Sequence, residues 1–374
     1  MLTNRPRVKL IAIAKDEAAY LPEWIHHHLY FGFDAIDIYV NRTSDNSWAI
    51  LSKLKETYNA MSFFSADWID SCPVDVQRNL QYVVYAKAFE ENRLTGDFDY
   101  IMFLDVDEYW TPQDMQRSIQ DCIEAHGSPA SLSFAWINEH GSDVPFESIQ
   151  STTTGQMSPL VKTAIRLNTE VIEISLHLPL LNTEVNLLVD GDKFISDMTN
   201  REYLHSDLQR VRSVMIIHRM FRSQLEYVSL LSRGRPSDEL PLKLNRGGYN
   251  KSSGIHVTYS LNKDLYDEYI HSFNQFITES NIADLLVEAQ MFIKDRYQTT
   301  IESIATISAD YYDDLFVIFK GCGKDIKSLL IDTVRHSEEL KTCNDAAKLL
   351  SIATKLQKHD AFLARDIAHM ASKL

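Results

Sequence analysis

The chain has 374 residues, of which 45% are hydrophobic and 24% charged, enough for two domains or for one large domain with an appendage. Its formal net charge of -15 excludes a nucleic-acid-binding surface, which needs clustered Lys and Arg to neutralise phosphates. Cys72, Cys122, Cys322 and Cys343 show neither CxxC spacing nor the density of a disulfide framework, so a reducing compartment is expected. The polar, basic start and the short apolar run Leu10–Ala14 predict no signal peptide, and no run of about 20 apolar residues predicts a spanning helix.

Val8 to Ala14 reads as a buried strand, followed by an amphipathic helix around Leu21 to Phe31 that stops at Gly32. Ala35 to Val40 is a second strand. After the turn Asn41–Asn46, a second helix over Ser47 to Tyr58 is capped by Asp45 or Asn46. Met61 to Phe64 is a third strand, and a long helix near Val76 to Arg93 precedes the apolar block Ile101–Leu104. This βαβαβαβ order predicts an α/β fold with a doubly wound, mostly parallel sheet. Further on, Ser131–Ile137, Leu160–Leu167, Val171–His177 and Met215–Phe221 read as strands of a mixed-sheet extension. From about Leu261 the pattern is helical to the end, divided at Gly321-Cys322-Gly323. The expected domains are residues 1–258, with a donor half of about 7–110 and an acceptor half of about 111–258, and a helical region 259–374.

The segment Tyr100-Ile-Met-Phe-Leu-Asp-Val-Asp-Glu-Tyr-Trp110 carries the chemistry. Strand alternation would point Asp105 and Asp107 the same way and turn Val106 toward the core. Two hard carboxylates at the carboxyl end of a sheet strand suit Mg²⁺ or Mn²⁺, which keep positions open for phosphate oxygens. The competing reading makes these acids mere flanks of a following helix, with Thr111 as cap and Pro112 in its first position. His26-His27-His28 looks like a metal cluster but is not read as one, because consecutive helical residues point in three directions.

The order Ala14-Lys15-Asp16-Glu17, Leu21-Pro22-Glu23-Trp24, His28, Gly32, Asn41–Asp45, Gln77-Arg78 and Phe103-Leu-Asp-Val-Asp-Glu-Tyr109 resembles the GT-A glycosyltransferases of the family 2 and family 92 type. Lys162–Arg166, His177-Leu-Pro179, Ile217-His218-Arg219, Ser223, Glu226-Tyr227 and Arg233-Gly234 resemble later motifs of the same group, so the likeness spans roughly residues 7 to 236. It implies that Asp105 and Asp107 bind Mn²⁺ or Mg²⁺ on the diphosphate of a nucleotide-sugar, UDP-sugar favoured, and that His218, otherwise a satisfied core histidine on an apolar strand, completes the metal or diphosphate site. Val106 lies in the same motif. Arg219 stands where an aromatic residue is common and could reach a phosphate. Ala14, Lys15, Asp16, Glu17, Asn41, Asp45 and Arg78 would face base, ribose or phosphate; Lys162 and Arg166, on one strand face, would neutralise a diphosphate or an anionic acceptor, or equally form a solvated face. Asp45 is equally a cap, Glu17 equally a first-turn acid, and Arg78 equally an exposed helical arginine.

Sugar transfer with inversion also needs a carboxylate base within reach of the acceptor hydroxyl. Glu139 and Asp143, in Trp136-Ile-Asn-Glu-His-Gly-Ser-Asp143, are the first candidates, and Glu108 is the third. The acceptor is expected to be a glycan or lipid-linked glycan of polysaccharide or lipopolysaccharide assembly, in a cytoplasmic setting that includes the inner membrane face. The basic stretch around Arg233–Arg235 and Lys243–Lys251 is read as a surface loop or a lid over the donor, and the C-terminal helices as a cover, a dimer surface or a peripheral membrane contact. Two other classes share the acid pair: a metal-dependent nucleotidyltransferase or phosphohydrolase, and a non-catalytic nucleotide-sugar-binding protein.

Overall fold

The computed structural model describes residues 5–182, 185–234, 242–251 and 253–374. In chain order the strands and helices begin β1 (Val8–Ala14), α1 (Leu21–Tyr30), β2 (Ala35–Val40), α2 (Ser47–Thr57), β3 (Met61–Ser65), α3 (Val74–Arg78), α4 (Leu80–Thr95) and β4 (Tyr100–Phe103). Then come β5 (Glu108–Pro112), α5 (Ile119–Ala125), β6 (Ser131–Glu139), β7 (Thr152–Arg166), β8 (Val171–Glu173), β9 (Leu180–Leu181), β10 (Leu187–Leu188) and β11 (Val214–His218). The remainder is α6 (Gln224–Leu231), β12 (His256–Ser260), α7 (Lys263–Ser280), α8 (Ala283–Ser303), α9 (Tyr312–Ile318), α10 (Lys324–His336), α11 (Glu338–Lys341), α12 (Ala346–Leu356) and α13 (Ala361–Ala371).

The main sheet runs in the order β3-β2-β1-β4-β7-β6-β11-β5, with β10 on β6 and β12 on β7. β3, β2, β1 and β4 are parallel neighbours, and β7 joins antiparallel to both β4 and β6. This is the α/β class expected from the sequence, a mainly parallel sheet extended by mixed strands, with a helical C-terminal region. The parallel strands read as unbroken apolar runs because both faces are covered. Leu10, Ala12 and Ala14 face the α1 side with Leu21, Trp24 and Ile25, whereas Ile11 faces Val84, Tyr85, Ala88 and Phe89 of α4.

Contacts group the chain into two compact units. The first is residues 1–140, 146–220 and 253–291, which hold the whole sheet, α7 and the start of α8. The second is residues 141–145, 221–252 and 292–374, which include α6, the rest of α8 and α9 to α13. Within the second unit, the Tyr227 hydroxyl donates to the Ile318 carbonyl at 2.7 Å and Arg296 Nε donates to Ser229 Oγ at 2.9 Å. Of the expected basic loop, residues 235–241 lie outside the described residues. Leu242 and Tyr249 beyond them are buried, and the Tyr249 N–H donates to the Lys320 carbonyl at 2.7 Å, so that stretch is part of a packed unit.

Three local expectations need correction. The helix expected over Val76–Arg93 breaks at Asn79, giving α3 and α4. Thr111 and Pro112 do not open a helix. They end β5, which pairs antiparallel with β11, so tertiary pairing overrides the Thr-Pro start signal. The strand expected over Val171–His177 shrinks to Val171–Glu173, because its partner β9 offers only two residues.

Candidate metal and nucleotide-sugar site

β4 ends at Phe103, so Asp105-Val106-Asp107 forms a turn and not the strand end expected from alternation. The Glu108 N–H donates to the Asp105 carbonyl at 3.0 Å, and Glu108 Oε2 accepts the Asp105 N–H at 2.9 Å. Glu108 therefore folds back under the turn and fixes it. Its side chain has no exposed surface and its Oε2 lies 2.9 Å from Lys162 Nζ, which leaves no face for an acceptor hydroxyl. The expectation that Glu108 is a base is corrected on that ground.

Register brings the remaining parts in. β11 pairs with β5 so that His218 lies opposite Glu108, and the Arg219 N–H donates to the Asp107 carbonyl at 2.8 Å. His218 Nε2 then lies 3.4 Å from Asp107 Oδ2. β6 runs parallel on the other side of β11, placing Asn138 opposite His218, with His218 Nδ1 3.2 Å from Asn138 Oδ1. The Asn138 contact and the Asp107 contact lie on opposite nitrogens of the ring, so Asn138 orients the imidazole with Nε2 toward the carboxylate. The ring is further held edge-on to Trp136 at 4.5 Å.

Asp107, Glu108 and His218 offer ligand atoms that all lie within 4.8 Å of one another. Glu108 Oε1 is buried without a hydrogen-bond partner, an uncommon state for a carboxylate oxygen. Hard oxygens with one imidazole suit Mn²⁺ or Mg²⁺. Asp105 stands beside this group, half-buried, with Oδ1 accepting from Gln81 Nε2 at 3.1 Å and Oδ2 3.7 Å from Lys162 Nζ. Burial pushes Glu108 up, to about 8; Lys162 counteracts this, while Asp105 and Asp107 add to it. Burial alone would lower Lys162, but attraction to Glu108 and Asp105 outweighs it and holds the ammonium above its usual range.

Arg219 is not open to a phosphate. It is 7% exposed, with Nε 2.9 Å from Glu139 Oε2, Nη1 3.6 Å from Glu23 Oε2, and Nη2 donating to the Glu147 carbonyl at 2.7 Å. Successive strand residues face opposite ways, so His218 faces the acid turn and Arg219 the α1 side. Burial raises Glu23 above the usual carboxylate range, with Arg219 pulling the other way. Glu139 is thus a buried partner of Arg219 at the end of β6, and Asp143 is exposed in the second unit.

At the residues expected to face the nucleotide, the β1–α1 and β2–α2 loops are tied to each other. Asp16, at a φ of 51°, accepts the Ser44 N–H at 2.7 Å, and its own N–H donates to Thr43 Oγ1 at 2.9 Å. Asp45 accepts from the Ala18 N–H at 2.8 Å and the Ser47 N–H at 3.0 Å. Both carboxylates thus shape loops at the carboxyl end of the parallel strands, next to Ala14, Lys15 and buried Glu17. Asn41 donates to Asp67 Oδ1 at 3.2 Å, and Arg78 is exposed with Asp75 at 3.7 Å. A groove of about 540 Å³ on the α4 face of β1–β3, lined by Tyr39, Phe64, Trp68 and the Lys9–Asp37 pair, contains none of these residues. Chemistry, not concavity, marks the acid turn.

Sequence reasoning passed over Gln81, Asn138 and Glu23. Gln81 follows Gln77-Arg78 at helical spacing, and Asn138 shares strand parity with Trp136, signals that were present; nothing local in the sequence pairs Glu23 with Arg219.

The sequence model of glycosyltransferase family 92 matches residues 9–198, which spans β1, the acid turn and Lys162. The chain belongs to glycosyltransferase family 92. No curated protein matches it in sequence. Among solved structures it matches the mannosyltransferase PcManGT from Pyrobaculum calidifontis, solved in complex with GDP-Man and Mn²⁺, with 9% identity over 99% of this chain and 85% of that one and a TM-score of 0.31. For a family 92 glycosyltransferase the acid turn lies inside the matched region, whereas His218, Arg219 and all of the second unit but residues 141–145 lie beyond it. Among the described residues, no helix of this glycosyltransferase is long and apolar enough to cross a membrane.

Proposed function

We propose that the chain transfers a sugar from a nucleoside-diphosphate donor, UDP-sugar first, to a hydroxyl of a glycan or lipid-linked glycan, with inversion and with Mn²⁺ or Mg²⁺ at the acid turn. The observation that carries the proposal is the convergence of Asp107, Glu108 and His218, with Asn138 orienting the imidazole so that Nε2 faces the Asp107 carboxylate. When bound, the metal would act as a Lewis acid on the leaving diphosphate. Asp107 and His218 would hold it, with Glu108 beneath them. Asp105 would sit at its edge, available to the donor. The β1–α1 and β2–α2 loops, stapled by Asp16 and Asp45, present backbone groups and Glu17 to base and ribose.

Glu139 is not taken as the base: like Glu108 it is buried and held by a cation, here Arg219, and it follows Asn138 on β6, so it faces the Arg219–Glu23 cluster and not His218. The reading belongs to surface polysaccharide or lipopolysaccharide assembly at the inner face of the cytoplasmic membrane, with the C-terminal helices as the proposed dimer or membrane contact.

A thermal-shift panel of UDP and GDP with and without Mn²⁺ tests the core of the proposal. Stabilisation by one nucleotide that requires Mn²⁺ and disappears in Asp107→Ala is expected. Metal-independent stabilisation, or an undiminished shift in that variant, would refute it; hydrolysis of the nucleotide without sugar transfer would point to the phosphohydrolase class.

A further inference from the structure

Lys162 is an unusual residue to find where it is. It rises from β7, is 1% exposed, and carries its ammonium to 2.9 Å from Glu108 and 3.7 Å from Asp105, beneath the Trp136 ring at 5.7 Å. Lysine is almost never fully buried without a charged partner, because its hydration is lost. Glu108 is that partner. The pair nevertheless does not account for the site: Asp105 stands 3.7 Å from the same ammonium and Asp107 follows on the same turn, so acidic groups outnumber the one lysine among them. A divalent cation would be drawn to the same acids. It must also approach Glu108, whose second oxygen is buried and unpartnered, against the ammonium already held there.

We propose that Lys162 is a resident cation that competes with the free metal ion and thereby makes metal seating depend on the nucleotide diphosphate. The inference rests on reading the acid turn as a metal–diphosphate centre. In the absence of donor, the ammonium occupies the Glu108–Asp105 side of the acid cluster, so a free divalent ion gains little. A diphosphate adds negative charge, which the ammonium and the metal then share, so the two ligands bind cooperatively. Coupling of this kind is reciprocal: the factor by which nucleotide tightens metal equals the factor by which metal tightens nucleotide. Lys162 is on this account a positioning residue for metal and donor, and not a group that reacts.

The test is Mn²⁺ affinity, read from the electron paramagnetic resonance signal of the free ion, with and without UDP or GDP, in the native chain, Lys162→Met and Lys162→Met/Glu108→Gln. The native chain should bind Mn²⁺ weakly alone and more tightly with nucleotide. Lys162→Met should bind Mn²⁺ alone at least tenfold more tightly, and the gain on adding nucleotide should shrink at least tenfold. The double variant removes both members of the pair and leaves no uncompensated buried charge, which decides the matter if the single variant does not fold. It should bind Mn²⁺ alone about as the native chain does and still lose most of the coupling to nucleotide. Unchanged or weaker Mn²⁺ binding in Lys162→Met, or full coupling in the double variant, overturns the inference while leaving the metal site standing. A native chain that binds no Mn²⁺ under either condition removes the metal reading itself, and the inference with it.

Discussion

The three consecutive histidines of α1 make a quantitative prediction about acid stability. His28 Nδ1 donates to the Trp24 carbonyl at 2.7 Å, and its Nε2 accepts the Trp110 N–H at 3.3 Å, so a second proton would face a donor. His27 is fixed in the other tautomer, Nε2 donating to the Trp110 carbonyl at 3.0 Å and Nδ1 accepting from the Tyr269 hydroxyl at 3.1 Å. His26 packs among Tyr269, Phe273 and Phe276. Burial lowers all three, His26 to about 4, His28 to about 3 and His27 well below its usual range. Because each folded value is depressed, the unfolded chain takes up protons first as pH falls below about 6.5. The associated stability is fully present above that value and is lost as pH falls toward the folded values.

From pH 7 to pH 5 each histidine gives up about 2 kcal/mol, at about 1.4 kcal/mol per unit below the unfolded pKa. Three together reach about 6 kcal/mol, a large share of the 5–15 kcal/mol typical of a folded domain. Glu23 and Glu108 are raised by burial and titrate in the opposite sense, easing the fold as pH falls, so a native curve alone is ambiguous. The informative quantity is a difference. His27→Gln keeps a donor and an acceptor but does not titrate. In urea unfolding at pH 7 and at pH 5, the native chain should lose about 2 kcal/mol more than this variant across the interval. Parallel losses in the two proteins would refute the claim that His27 is held neutral by its surroundings.

Arg219→Met should cost about 3–5 kcal/mol of stability, since Glu139 and Glu23 are left buried without their cation, and Glu139→Gln in the same chain should recover part of the lost melting temperature. An Arg219→Met variant that melts with the native chain would show the pair to be energetically idle. Asn138→Leu removes the acceptor that orients His218 and should weaken Mn²⁺ binding about 10- to 100-fold by titration, with the fold retained by circular dichroism. Gly155 on β7 lies opposite Glu139, and a Cβ there would collide with the Asn138 carbonyl. Gly155→Ala should therefore depress transferase activity more than it depresses the unfolding midpoint; native activity in that variant would show that the β6–β7 spacing at this point is slack.

Much of the fold of residues 7–110 was legible in the sequence because the features that specify it are local. Apolar runs at Val8–Ala14, Ala35–Val40 and Ile101–Leu104, separated by helical spacing and turn residues, allow little but parallel strands with crossover helices. The same locality made Asp105 and Asp107 stand out and gave the family resemblance that the match to residues 9–198 supports. It also set His26–His28 apart from metal chemistry, since helix geometry alone separates consecutive side chains.

What the sequence left open was decided by pairing between distant strands. Thr111-Pro112 carries the local signature of a helix start, yet β11 pairs with β5 across a hundred residues and keeps the segment extended. That ladder, together with β6 on its other side, is what brings Asp107, Asn138 and His218 to one point. It also decides that Arg219, one residue on, turns away into a buried cluster with Glu139 and Glu23. Strand parity separates two adjacent residues into two environments, and register determines which environment each receives. Residue types and order thus singled out the acid turn, whereas tertiary register determined which side chains stand beside it and that a buried lysine lies among its acids.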